Sequence, residues 1–348
     1  VVRHGEAVLR GDHIAEYSSV QPAGGGEAAA ARTLGLLVKD APLVLPEPDL
    51  ANWASVDDFG AVGDGITDDT AAIQRAMNSG RPVVYFPRAN YVVNGTVDLP
   101  ATVREVTGLF GSVHRSVAAA PDGPALFRVA EPSPEPLLLH EIFTAGGVFL
   151  DHEADRPVVL EDLYVYFNHV REYAAGADLV LPSPAAQDTT IWRLYRNTRP
   201  AGAPKQVFVN DSLFFAGDDA EGHFALENVR AWVRLVNTEN LPGALYSFRR
   251  SEAWILGFKS EYADTLLSAD DHSRLEVLGG SFLNWEPRAR PVIISRDSQV
   301  SAVFFMWHWG GMENRIVLRE ETDGVVTTVP ATRFSRLDQV DAAVVFVA

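Results

Sequence analysis

The sequence predicts an all-β chain coiled as a parallel β-solenoid behind one short N-terminal helix. Three observations predict it. Short β-prone runs recur from Thr96 to the C-terminus, separated by turns rich in Gly, Asp, Asn and Pro. No stretch after Ser79 carries a convincing helix of three turns. In the middle of the chain, Val233–Glu239, Ile255–Glu261 and Val277–Leu283 start 22 residues apart. The first two end in a polar residue, a hydroxyl and Glu, and the last two share Leu-Gly. A period near 22 fits one turn of a parallel β-helix, in which each turn stacks on the last.

The helix belongs to the stretch around which the chain is organised, residues 56–95. Gly60, Gly63 and Gly65 mark turns open to glycine at little steric cost. Thr67 is the expected N-cap, with Asp68 and Asp69 in the first turn at the positive end of the helix dipole. Ile73, Ala76 and Met77 form one apolar face. Gly80 is the expected C-cap, Pro82 prevents continuation, and Val83–Phe86 reads as a strand. The helix is expected over Thr67–Ser79.

Asp58-Phe-Gly-Ala-Val-Gly-Asp-Gly-Ile-Thr-Asp-Asp-Thr70, followed by Ala72-Ile73-Gln74, Val84-Tyr85-Phe86-Pro87 and Tyr91, resembles the opening segment of the pectate-lyase-like right-handed β-helix superfamily. Arg88-Ala89-Asn90 departs from it where a glycine is usual. The resemblance implies a single-stranded right-handed parallel β-helix whose helix caps the open end and shields the first rung. Relatives of this type include glycoside hydrolase family 55 glucanases, proteins related to glycoside hydrolase family 28, and phage tailspikes. Family 55 enzymes carry two such motifs and this chain has one, so their catalytic glutamate is not carried over. Arg230–Glu239 and Trp254–Glu261 also look similar to segments of bacterial proteins related to family 28.

The rest of the chain reads around that segment. Residues 1–50 form a leader and linker, and 51–348 form the β-helix domain. Within the leader, Ala7–Leu9 and His13–Tyr17 suggest edge strands. Glu27–Val38 has helical character, and Pro42, Pro46 and Pro48 make an extended approach to the motif. Residue 1 is Val rather than Met, and the chain is read as a mature or trimmed form. No run of 18 apolar residues suggests a membrane span, and no signal peptide is visible.

Composition excludes several function classes. A net charge of −17 argues against nucleic acid as partner and, less strongly, against polyanions. With no cysteine, disulfides, zinc-thiolate sites and cysteine nucleophiles are ruled out. The nine histidines show no paired ligand spacing, so neither a metal nor another cofactor is expected. There is no P-loop, dinucleotide fingerprint or nucleophile elbow. The acidic residues Asp57, Asp58, Asp64, Asp68 and Asp69 lack calcium-loop spacing and suit capping and turns.

The candidate chemistry comes from the repeat. Equivalent positions on adjacent rungs lie about 4.8 Å apart, so Glu239 and Glu261 should stack. Glycoside hydrolysis uses two carboxyl groups, about 5 Å apart for retention. Repulsion between them would leave one holding a proton for general-acid work. Lys259 should point the same way; the alternative role for both glutamates is backbone capping or pairing with Lys259. Arg230, Trp232 and Arg234 alternate with Ala231, Val233 and Leu235, which puts the Arg-Trp-Arg set on the outer face as a sugar platform, unless the Trp lies under a loop. Trp307, His308 and Trp309, beside Gly310-Gly311 and Glu313, suit a carbohydrate cleft or else a packed core. Asp218 and Asp219 are second-choice carboxylates.

These readings converge on a secreted, extracellular or periplasmic, carbohydrate-active enzyme. It would hydrolyse a polysaccharide through Glu239 and Glu261, with Arg230, Trp232, Arg234, Lys259, Trp307, His308 and Trp309 binding substrate. One alternative is a polysaccharide lyase acting on a uronate polymer through Lys259, Arg230 and Arg234. Another is a non-catalytic glycan-binding or structural solenoid. The partner is a polysaccharide or oligosaccharide, with room for an oligomer, a trimer if tailspike-like.

Overall fold

The computed structural model describes residues 33–116, 124–145, 148–166, 204–215, 222–239, 244–261, 265–284, 290–308, 316–330, 335–337 and 340–347, together with the pieces 2–3, 6–7, 192–193 and 195–196. Its spine is a stack of parallel strands. From the N-terminal end these are Trp53–Ser55, Val83–Phe86, Glu105–His114, Leu137–Ala145, Val158–Glu161, Lys205–Asn210, Val229–Glu239, Glu252–Glu261, Arg274–Asn284 and Gln299–His308. Val340–Val347 then pairs antiparallel with the last of them. A second parallel stack runs through Gly222–Glu227, Ala244–Arg249, Thr265–Asp270, Ile293–Arg296 and Ile316–Thr322. This is the parallel β-solenoid expected from the repeat. Val233, Ile255 and Val277 are register partners on successive rungs.

Stacking makes the core a set of columns. One inward column reads Val84, Val106, Leu139, Leu160, Val209, Val233, Ile255, Val277 and Ala302, all buried. Burying each Val, Leu or Ile of this column contributes about 1.5–3 kcal/mol against leaving it exposed. The column holds because β-branched residues suit the pleated surface and each covers the one below. A small set of polar groups inside pairs across the rungs. Thr238 and Ser260 share a 2.8 Å hydroxyl contact, and the buried Tyr246 hydroxyl, pushed up to about 12 by burial, lies 3.3 Å from Ser260 Oγ.

Several rungs of the main sheet bend at a residue with left-handed backbone. Leu235 has φ 52°, Gly257 68° and Gly279 75°. Asp162 and Asp211 take the same conformation between consecutive strand segments on earlier rungs. The pairing skips this position and resumes beyond it, with Arg234 opposite Leu256 and Val236 opposite Phe258. The outer surface is thereby divided into two facets.

The capping helix is shorter than expected, Thr70–Met77. Thr67 is not its N-cap but ends a turn, its hydroxyl and amide bonded to Asp64 at 2.9 and 2.7 Å. Asp69 takes the cap position, yet its carboxylate faces backward to accept from the amides of Val62 and Gly63. Asp68 accepts from Thr70 instead. Asp64 and Asp69 therefore fold the glycine turn, Asp68 serves the helix start from outside it, and no acidic residue fills the first helical turn. Gln74 fixes the helix to the next rung with bonds to both backbone groups of Asp98.

Residues 33–48 contain no helix where the leader was read as helical up to Val38. They lie as an irregular strap across the first facet. Arg274 donates to Leu34 O, Trp232 Nε1 to Leu37 O at 2.7 Å, Lys39 to Gln206 Oε1, and Trp53 Nε1 to Glu47 O. Near the N-terminus Val2–Arg3 pairs antiparallel with Glu6–Ala7, and the expected edge strands at Val8–Leu9 and His13–Tyr17 lie outside the described residues.

Candidate functional site

The stacked glutamates are real register partners. Glu239 and Glu261 end adjacent strands and sit opposite one another, as do Asn237 and Lys259 two residues earlier. Lys259 reaches between the two carboxylates. Its Nζ lies 2.5 Å from Glu261 Oε1 and also contacts Glu239 Oε1. Asn237 Nδ2 donates to the same Glu239 oxygen at 2.8 Å. The glutamates are about one-fifth exposed, and Lys259 is half-exposed. Partial burial works to lower the Lys259 pKa, but hydrogen bonds to Glu239 and Glu261 and their charges outweigh it. The ammonium is held above its ordinary value. The site therefore joins the two readings of these glutamates: they stack, and they pair with Lys259.

The triad belongs to the second facet, whose outward columns can be followed through the register. Lys259 leads through Ser281 to Phe305, which is 52% exposed and so a free aromatic face. In the other direction Asn237 leads through Leu213 to Tyr164 and Phe143, whose rings stack at 5.5 Å. Glu261 leads through Leu283 to Trp307. Trp307 thus occupies the register column of the two glutamates, and His308 is the last residue of its strand. Trp309, Glu313, Asp218 and Asp219 lie outside the described residues. Sequence reasoning missed Phe143, Tyr164 and Asn237. No local motif marks them, and only the register unites them with Glu239.

The Arg-Trp-Arg set is not on this facet, and its expected exposed platform is corrected. Arg230, Trp232 and Arg234 precede the Leu235 bend and lie on the strap-covered facet. Trp232 is 5% exposed, its indole stacked on Phe208 at 4.8 Å between ring centres. It belongs to an outward column of Leu138, Val159, Phe208, Trp232 and Trp254. The apolar cluster formed there would be exposed without the strap. Arg234 pairs with Asp40 of the strap at 2.8 Å and lies over Trp254, and Arg230 pairs with Glu252 at 3.2 Å. Period-2 alternation places these side chains on the correct side of the sheet but cannot show that another segment covers them.

Elsewhere, Ser112 Oγ lies 3.2 Å from His114 Nδ1 on the same facet, with both residues buried. Burial lowers His114 to about 4, well below the value of a base poised for neutral pH. Among the described residues, no group of three or more His, Asp or Glu has metal-site geometry.

The stacked rungs define a parallel β-solenoid, and the fold is that of the pectate-lyase-like superfamily. A family model described as rhamnogalacturonase A/epimerase, pectate lyase-like, matches residues 53–115, the cap and first rungs. A pre-neck appendage protein of Bacillus phage B103 is 38% identical over 73 residues, 21% of this chain and 8% of that protein. The mannuronan C5-epimerase AlgE5 of Azotobacter vinelandii is 51% identical over 45 residues, 12% of this chain and 4% of that protein. The matched stretches thus span less than a tenth of these relatives. Among solved structures, the pre-mature gene product 12 of bacteriophage phi29 aligns over 70% of this chain and 36% of its own, with 14% identity and a TM-score of 0.46. The phiAB6 tailspike, solved with oligosaccharides of an Acinetobacter baumannii surface polysaccharide, aligns over 71% of this chain and 46% of its own, with 14% identity and a TM-score of 0.40.

Proposed function

We propose that this protein acts on a polysaccharide and that its chemistry is proton transfer at a uronate sugar, elimination or epimerisation, rather than hydrolysis. The observation that carries the reading is the Lys259 ammonium held between Glu239 and Glu261. Hydrolysis by paired carboxyl groups needs one of them to donate a proton. Here both accept from the same ammonium, so the donor in the site is Lys259. Elimination needs a base for the C5 proton, a cation for the sugar carboxylate and an acid for the leaving oxygen. A glutamate of the pair supplies the base. Lys259 exchanges one glutamate contact for the sugar carboxylate and carries the proton. The C5–H electron pair becomes the C4–C5 double bond, the C4–O bond breaks, and the leaving oxygen takes a proton. In epimerisation the electron pair passes into the sugar carboxylate instead, the C4–O bond stays intact, and C5 takes a proton from water on the opposite face. The epimerase wording of the matched family and the epimerase relatives support this chemistry. Trp307, His308 and Phe305 would carry the polymer beyond the triad, and the work would take place outside the cell or in the periplasm.

The test is a panel of alginate, polygalacturonate, glucuronan and a neutral glucan, incubated in deuterated water. Ultraviolet absorbance, reducing ends and C5 deuterium are followed. Elimination gives ultraviolet gain with new reducing ends, and epimerisation gives C5 deuterium without new ends. Reducing ends without ultraviolet gain would restore the hydrolytic reading. No change on any polymer would favour a binding or structural solenoid.

A further inference from the structure

Between the strap and the first facet lies a cavity of about 320 Å³, lined by Leu36, Leu37 and Lys39 from the strap and by Gln206, Arg230, Trp232, Glu252 and Trp254 from the sheet. It lies across the Leu235 bend from the triad. Its composition differs from that of a packing defect. Two indoles line it on the sheet side. A primary amide, a carboxylate, a guanidinium and an ammonium stand around them. Lys39 Nζ bonds Gln206 Oε1 at 2.6 Å and lies 5.7 Å from the ring centre of Trp232. Arg230 is held by Glu252, which Arg274 also holds at 2.9 Å. The lining carries two cations against one anion, in a chain of net charge −17. A cationic pocket in an acidic molecule selects an anionic occupant. Aromatic faces beside hydrogen-bonding side chains select one with an apolar face and a hydroxylated rim.

We propose that this cavity is a binding site for a single uronic acid residue, separate from the triad. Its carboxylate would meet Arg230 and Lys39, its ring face Trp254, and its hydroxyls Gln206 and Glu252. The strap supplies one wall, so the site exists only while residues 33–48 are docked. The proposal does not depend on the chemistry assigned to Lys259, because a binding site here is compatible with any activity, or none, on the second facet.

The test follows the indole N–H resonances of Trp232 and Trp254 in the full chain. It is titrated with sodium galacturonate, sodium glucuronate, the neutral methyl galactoside and glucoside, and sodium acetate. A uronate is expected to give a saturable shift of both resonances. The neutral glycosides and acetate should bind at least about tenfold more weakly. Arg230→Gln and Lys39→Gln should each weaken uronate about tenfold while leaving the other tryptophan resonances in place. Glu239→Gln should leave the titration unchanged, which separates this site from the triad. The proposal is overturned if neither uronate shifts these resonances, if acetate shifts them equally well, or if both strap-facet variants bind as the unaltered chain does.

Discussion

Glu239 and Glu261 face each other across adjacent rungs, and one ammonium, that of Lys259, holds both. Two carboxylates at strand spacing repel, and the cation between them makes the stack tolerable. Lys259→Met should therefore destabilise the protein by about 1 kcal/mol, a surface-pair magnitude because the ammonium is half-exposed. Removing one carboxylate as well, with Glu239→Gln, should recover part of the loss. Urea unfolding of the two single variants and the double variant checks this; strict additivity would show that the three groups do not act as a unit.

The strap reading predicts a linked effect of one buried tryptophan. Trp232→Ala removes the Phe208 stack and the bond to Leu37 O. A loss of about 3–5 kcal/mol is expected. Limited proteolysis should also begin to cut within 33–48 before the rungs unfold. Cleavage in the solenoid at the same rate as in the strap would count against a separately docked segment.

Gly63 of the opening motif is required by both conformation and space. Its φ is +63°, and a Cβ there would come within 2.7 Å of the Ala89 Cβ and 3.0 Å of Tyr91. Gly63→Ala should cost about 2 kcal/mol or more, combining left-handed strain with overpacking. Gly80→Ala, at φ +79° with nothing within 4 Å, meets only the first of these penalties. Thermal denaturation of the two variants should show the larger drop for Gly63.

Acid should weaken the fold through two buried histidines. Burial lowers His114 to about 4, and burial, with the Lys205 and Arg156 charges adding to it, lowers His152 to about 3. Both folded values lie below the ordinary 6.5, so the unfolded chain binds more protons between them. The stabilisation is complete above pH 6.5 and is lost as pH falls toward 4 and 3. Each histidine contributes a slope near 1.4 kcal/mol per pH unit in that window. Urea unfolding between pH 7 and pH 4 should show it, and His114→Asn should reduce the slope by about one proton.

The solenoid was legible in the sequence because its rungs are regular. A 22-residue spacing brings Val233, Ile255 and Val277 into one column and carries Glu239 onto Glu261. The capping helix was legible by type and not by boundary. Asp68 and Asp69 satisfy cap statistics, but the Asp69 carboxylate is used by the preceding turn and that of Asp68 accepts from Thr70 at the helix start. Trp232 shows why the first facet was misread. Alternation reports which side of a sheet a residue faces, whereas its covering comes from Leu37, 195 residues away, without any pattern linking the two. Phe143 and Tyr164 stayed hidden for the related reason that rungs of unequal length carry no fixed spacing to Glu239.

If Lys259 and the two glutamates form one proton-transfer site, as proposed, altering these residues should slow turnover. The most direct measurement is kcat on the responding polymer for Glu239→Gln, Glu261→Gln and Lys259→Met, each shown to be folded by an unchanged circular dichroism spectrum. Lys259→Met and at least one of the glutamine variants are predicted to lose about 10²–10⁴-fold, the range of general acid–base catalysis, with KM less affected. Full turnover in all three folded variants would contradict the account.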